Sequence, residues 1–410
     1  MDDKLAARAD RPVRRRVVFY LPGYDPFPPR RYRELYRKEG ARQAEISGYS
    51  LALTPRAGRD EPYGWDIEIV ADGSETRSRI HILHWTDIVR QSMNMGVLAT
   101  YLLLVRTFWI YLSTGVMTRL FRLRKGPVIT AMYPVVMLLG QLAVALGLAG
   151  LIWWLAAQRL PHWVALPLGL VVVPPVLWKF RQMDGKLFVY YLLHDYAFTA
   201  RHLGENPPEL EQRMAAFVAL IGAALSEDVD EVLVVGHSSG VHLGVSILAD
   251  VIRAGHCRPD GPLLAFLSLG QAVPMQSFLP DAARLRADLH YLSERDEITW
   301  IDISAPADGC CYALCDPVAV SGAAGPGKRW PLVLSAAFSQ TLLPETWARL
   351  RRRFFRLHFQ YLCAFDKPGD YDYFLITGGP RSLAARFAGR QPSAQRKETV
   401  LSPHLGRAPE

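Results

Sequence analysis

The sequence predicts an α/β protein whose mostly parallel sheet, with helices on both faces, is interrupted by an apolar helical hairpin. Three observations lead there. Short apolar runs of strand length occur at 17–21, 232–235 and 263–269. They alternate with segments of helical periodicity at 207–225, 239–255 and 281–294. Between the two groups lies an uncharged stretch, 127–158, longer than the ~20 residues a helix needs to cross a bilayer core.

In chain order, 17–21 (VVFYL) has the length and content of a buried strand and stops at Pro22-Gly23. Residues 28–40 carry charged helix formers and predict a surface helix. Strands follow near 49–54 and 65–70. In the second, Ile67 and Ile69 face one side and Asp66 and Glu68 the other. RIHILHW (79–85) predicts a further core strand. The character then changes. Residues 95–118 are apolar except for Arg106 and predict an amphipathic helix lying in the plane of an interface. Arg119, Arg122, Arg124 and Lys125 precede the long uncharged run, which Arg159-Leu160-Pro161 breaks. A second run, 161–178, ends at Lys179, Arg181 and Lys186, and Pro167, Pro174 and Pro175 would kink it. The tight break and basic outer flanks predict two spans, about 129–157 and 161–178, with both ends cytoplasmic. The alternative is a buried helical pair within a soluble lid. The organisation expected is therefore 1–91 as the first part of a sheet domain, 92–185 as the insert, 186–383 as the rest of the sheet domain, and 384–410 as a disordered basic tail.

A net charge of +8 accompanies a chain that is 50% hydrophobic. No helix-turn-helix, RNP or zinc-finger pattern occurs, so no nucleic-acid partner is expected. The basic residues flank apolar segments, which suits an anionic membrane surface. Residues 1–16 are charged and lack an apolar core, so no cleavable signal peptide is expected. Five cysteines, with Cys310, Cys311 and Cys315 crowded together, do not form a secreted disulfide framework. Their spacing lacks the paired C-x-x-C knuckles of zinc sites, and they read as packing residues with no metal. The expected location is the inner (cytoplasmic) membrane, with the chemistry facing a reducing cytoplasm.

Residues 232–240, VLVVGHSSG, carry the chemistry. A continuous apolar strand runs into G-x-S-x-G, and Val241, Val245, Leu248 and Ile252 then share one helix face. This is the setting of a nucleophile elbow, in which a sharp strand-to-helix turn presents a serine, here Ser238. Side chains at Gly236 and Gly240 would clash with the crossing strand and helix.

The stretch resembles the nucleophile elbow of α/β-hydrolases, and the chain is similar to esterase/lipase-like members that carry a transmembrane insert. The resemblance covers roughly residues 16–90 and 186–380 and is specific at the elbow. It implies an oxyanion hole, a later acid and a still later histidine. Residues 21–25 (LPGYD) stand where lipases often have a His-Gly turn, with proline replacing the histidine. By that match the backbone N–H groups of Tyr24 and Ser239 would hold an oxyanion, and Asp25 is a turn residue. Asp308, in the loop after the 299–303 strand, fits the acid. Asp302 lies inside that strand and reads as structural, with Asp316 the alternative acid. Only His358 and His404 follow Asp308, and His404 falls in the tail, so His358 is the expected base. Its H-x-x-Y spelling also resembles related enzymes. His237, His242, His81 and His84 read as packing residues.

Together these features predict a serine hydrolase acting by acyl transfer through Ser238, His358 and Asp308, without metal or organic cofactor. If the 79–85 strand runs parallel to the nucleophile strand, the insert emerges beside the active site, and a lipid or other apolar ester becomes the expected substrate. The same triad would serve an acyltransferase or thioesterase, and a non-catalytic membrane scaffold is a further alternative. The expected partners are a lipid bilayer and a small-molecule ester. The head group, the acyl chain and the oligomeric state are not set by the sequence.

Overall fold

Strand β1 (Arg15–Leu21) is the one about which the sheet is arranged. In the computed structural model, residues 11–56 and 62–408 are described; the first ten residues of the basic arm and the last two of the tail lie outside them. From β1 the chain forms α1 (Arg30–Ser47) and then β2 (Ser50–Pro55), β3 (Gly64–Ala71) and β4 (Ser74–Ile82). β4 returns beside β1. On the other side of β1 lie β5 (Glu231–His237), β6 (Leu263–Leu269), β7 (Ile298–Ser304) and β8 (Leu332–Ser335). The order is β2-β3-β4-β1-β5-β6-β7-β8. The six strands from β4 to β8 are parallel, and the β2–β3 and β3–β4 pairs are antiparallel. The chain therefore builds outward from β1 first to one side and then to the other. Such a reversal leaves a crevice outside the carboxyl ends of the strands.

The continuous apolar runs follow from burial on both faces. Val17, Phe19 and Leu21 pack into one core with Val232, Val234 and Val241. Val18 and Tyr20 pack into the other with Leu233, Val235 and Ile301. A buried ion pair crosses the start of the sheet: Arg16 Nε lies 2.6 Å from Glu231 Oε2, with both side chains essentially inaccessible. Arg16 also donates to Gly379 O and Arg381 O, and Glu231 accepts from Leu383 N–H. This network ties β1, β5 and the C-terminal segment together.

The insert joins β4 to β5. It runs through α2 (Thr86–Met93), α3 (Val97–Ser113), α4 (Val116–Leu123), α5 (Lys125–Ala157), α6 (His162–Leu170), α7 (Val173–Gln182) and α8 (Val189–Ala200). α9 (Pro208–Ala224) then leads into β5. Two helical segments, Lys125–Ala157 and His162–Gln182, are long and apolar enough to cross a membrane. Pro174 and Pro175 fall in the first turn of α7, where no backbone donor is missed. Large apolar side chains stay uncovered along both segments, among them Ile129, Val136, Trp154, Trp163 and Val171. Water would penalise so continuous an apolar surface, whereas lipid would not. The region expected to lie in the interface plane is α3 and α4. Leu98, Leu102, Val105 and Trp109 are exposed along one stripe of α3, while Thr100, Leu103, Leu104 and Thr107 are buried on the other. α2 and α3 meet at 103°, and only when joined do they pass as one spanning segment.

Two features differ from the sequence reading. α8 falls in the stretch read as sheet domain, yet its Val189, Tyr190 and Leu193 pack with Leu104 and Leu138 of the insert. Residues 384–408, for which composition predicts disorder, lie along the domain. Leu383–Arg386 is helical, Lys397 pairs with Cys315 in a β-bridge, Leu401 N–H bonds Val320 O, and Arg286 donates to Gly406 O. Backbone partners supplied by distant segments compensate for the low apolar content.

Replacing Arg16 by Met strands a buried carboxylate, so Arg16→Met should cost about 3–5 kcal/mol, read as a lowered denaturation midpoint in detergent. The double variant Arg16→Met/Glu231→Leu should recover most of that loss.

Candidate active site

β5 ends at His237, and the next residue turns the chain sharply. Ser238 has φ 57°, in the left-handed region that costs an L-residue roughly 1–2 kcal/mol. Neighbouring strands hold it there. Ser238 N–H donates to Leu269 O at 3.0 Å, and Val241 N–H donates to Ser238 O at 3.1 Å. The helix that follows, α10 (Gly240–Arg253), begins against the end of β1. A Cβ at Gly240 would lie 2.3 Å from Leu21 O and 2.7 Å from Pro22 O, so glycine alone lets the two segments cross. Ser238 is partly exposed between buried His237 and Ser239.

The loop after β7 brings Asp308 to the same edge. Its buried Oδ2 accepts from His358 Nδ1–H at 2.7 Å and from the Tyr361 hydroxyl at 3.0 Å. Its Oδ1 accepts from Cys310 N–H at 2.9 Å. Burial pushes the Asp308 carboxyl up, but the His358 ring and these hydrogen bonds outweigh it and hold the group below the usual carboxylate range. Tyr361 is itself fixed, because its hydroxyl accepts from Ala305 N–H at 2.9 Å. With Nδ1 committed to Asp308, His358 presents Nε2 as its free ring nitrogen.

His237 supports His358 from behind. Its Nε2 lies 3.0 Å from His358 O and the two rings pack 4.7 Å apart. Burial first, and then His358, push its pKa down to about 3, so it is a neutral donor. His242 is likewise pushed down to about 3 by burial.

Ser238 and His358 line one pocket, partly open and with about 70 Å³ of free space. Gly23, Tyr24, Ser239 and His242 contribute from the sheet side. Pro127, Leu192, Asp195 and Tyr196 contribute from the insert and α8. The structure thus brings Ser238, His358 and Asp308 together. The other candidates lie elsewhere. Asp302 stays in β7, accepting from Ser268 Oγ at 2.7 Å, and burial raises its pKa to about 7. Asp316 caps the short helix Pro317–Val320 and pairs with Lys328 at 2.7 Å. His404 bonds Ser402 within the tail. His81 stacks on Phe19, away from the pocket. Asp25 accepts from Phe27 N–H and Tyr32 OH, the turn role read for it.

The two expected oxyanion donors differ. Ser239 N–H makes no hydrogen bond among the described residues, whereas Tyr24 N–H already donates to Ser239 Oγ at 2.8 Å. The hydroxyl of Ser239 reaches back across the elbow and takes up that donor, a consequence of the close approach at Gly23. The elbow motif alone does not record it.

The sequence reading missed Asp195. It lies on α8, faces the pocket and has no hydrogen-bond or ion-pair partner among the described residues. Burial pushes its pKa up to about 7 against a smaller opposing pull from His358. An acidic residue in an apolar helix beside the insert was the available signal.

Donor atoms of Asp308, Cys310 and His358 lie within 4.8 Å of one another. The 2.7 Å contact between Asp308 and His358 is a hydrogen bond, and burial together with Asp308 pushes the Cys310 thiol well up, which opposes the thiolate a metal requires. The set fits a proton better than an ion.

Comparison of this chain with protein-family models, with curated proteins and with solved structures finds no match.

Because the Asp195 carboxyl titrates near 7 when folded instead of at 3.8, the native state holds a proton that the unfolded chain releases. Its contribution to stability is fully present below about pH 4 and is lost as pH rises through 7. Asp195→Asn should therefore match the wild type at pH 4 and be more stable at pH 8. A thermal-unfolding difference that does not change with pH would contradict this.

Proposed function

We propose that this chain is a membrane-anchored serine hydrolase of the α/β-hydrolase type, cleaving an ester of a lipid or other apolar molecule. The observation that carries the reading is the buried 2.7 Å Asp308–His358 hydrogen bond in the same pocket as a serine held at φ 57°. The order Ser238, Asp308, His358 along the chain and the position of all three at the carboxyl edge of a parallel sheet support it.

In this mechanism Asp308 holds His358 with its free Nε2 available to Ser238. His358 takes the Ser238 proton as Oγ attacks the ester carbonyl carbon. The oxyanion is stabilised by Ser239 N–H, and by Tyr24 N–H once the Ser239 hydroxyl turns aside. Asp308 stabilises the imidazolium, which returns the proton to the leaving alkoxide. The products of this half are the free alcohol and an acyl-Ser238. Water then attacks the acyl carbon, with His358 again taking and returning the proton, and the carboxylic acid departs.

Two apolar spanning segments support membrane anchoring, and basic residues at 119–125 and 179–186 support cytoplasmic ends. Pro127, Leu192 and Tyr196 in the pocket wall support a substrate met at the membrane.

A fluorophosphonate probe should label the detergent-solubilised protein at Ser238. Ser238→Ala should abolish labelling and His358→Ala should reduce turnover by about 10⁴–10⁶. A folded wild-type protein that does not label would favour a non-catalytic scaffold. Product analysis with added alcohols or thiols separates hydrolysis from acyl transfer.

A further inference from the structure

We infer that the acyl chain of the substrate lies in a second, apolar cavity built by the membrane insert, entered from the Ser238 pocket between Tyr196 and Met275. The inference rests on the hydrolase reading and adds to it where the chain goes.

A narrow, partly open apolar cavity with about 50 Å³ of free space lies among α3, α4, the start of α5 and α8. Leu104, Phe108, Val128, Val135 and Leu193 are in its wall. Its lining is almost wholly apolar, and the Tyr111 hydroxyl is already taken up by Met275 O at 3.2 Å. Water gains nothing in such a space, and apolar cavities of this kind bind hydrocarbon.

The two cavities share a partition. Tyr196 and Met275 line both. On α8 the split follows helical spacing: Leu192, Asp195 and Thr199 face the Ser238 pocket, Leu193 faces the apolar one, and Tyr196 stands between. The Tyr196 hydroxyl makes no hydrogen bond among the described residues, so no polar contact pins its ring. Met275 is an unbranched side chain that adapts its shape readily. The residues common to both cavities are therefore one aromatic ring without a pinning hydrogen bond and one flexible thioether.

Chemistry divides the two spaces in the same way. The Ser238 pocket holds Asp195, His242 and His358 and suits the ester group with its polar leaving part. The insert cavity exposes almost no polar surface and suits a hydrocarbon chain. Its helices also carry the surfaces that face lipid, since Val105 and Trp109 of α3 lie exposed on the outside while Leu104 and Phe108 line the inside.

The test uses the wild-type protein and a long-chain alkyl fluorophosphonate carrying a terminal diazirine. After reaction at Ser238 and irradiation, crosslinked peptides are sequenced. Crosslinks within 104–135 and at Leu193 are expected. Ala131→Trp, which fills the cavity, should lower the ratio of long-chain to short-chain probe labelling rates at least tenfold. Full labelling of Ser238 with crosslinks confined to 355–359 or to detergent would overturn the acyl site and leave the hydrolase reading standing. An unchanged labelling ratio in folded Ala131→Trp would do the same. Failure of both probes to label Ser238 would overturn the hydrolase reading and this inference with it.

Discussion

The close crossing of β1 and α10 at Gly240 is the constraint on which the rest of the site depends. Leu21 O and Pro22 O occupy the space that a side chain at residue 240 would fill. The crossing forces Ser238 into left-handed backbone and turns its side chain away from the buried strand. That strain persists only because β5 is bonded on both sides, to β1 and to β6, and cannot relax by shifting register. The Arg16–Glu231 pair pins the opposite end of the same two strands. A parallel sheet with β1 at its centre is thus the frame that makes the serine geometry affordable.

Around the serine, charge is distributed unevenly. Asp308 is surrounded by donors from His358, Tyr361 and Cys310, so its charge is stabilised in a dry setting. His237 and His242 are kept neutral by burial and do not compete with it for the ionised state of His358. Asp195, which lines the Ser238 pocket, has no such donors among the described residues, and burial raises its pKa to about 7. The two carboxyl groups therefore shift in opposite directions because one is hydrogen-bonded and the other is only desolvated.

The insert lines the pocket as well as carrying the two long apolar helical segments. At 33 residues, α5 is about 50 Å long, well beyond the ~30 Å hydrocarbon core of a bilayer. Its first turns are docked on the loop that carries the acid. Arg124 donates to Ala313 O, Thr130 donates to Gly309 O, and Gly126 lies against Gly309. Any tilt of α5 is therefore felt within two residues of Asp308. α8 makes the complementary connection, packing on α3 and α5 with one face and lining the Ser238 pocket with another.

The features legible in the sequence are those set by local rules. Alternating strands and helices, the two long apolar helical segments and the glycine spacing of the elbow follow from side-chain periodicity and turn sterics, which nearby residues decide. The four-residue β8, the ordered path of 384–408 and the assignment of α8 to the insert were not legible, because their stability comes from partners far along the chain. The same holds inside the site. Which amide faces Ser238 freely, and which is taken by the Ser239 hydroxyl, depends on how tightly β1 and α10 approach. That Asp195 faces the pocket without a partner among the described residues depends on how the insert folds back over the sheet. By itself the sequence determined the longer, strongly patterned elements and the strained turn, since these obey short-range sterics and periodicity. Only the tertiary structure decided which buried polar groups are satisfied, because desolvation and hydrogen bonding are settled by segments that meet only when the chain is packed.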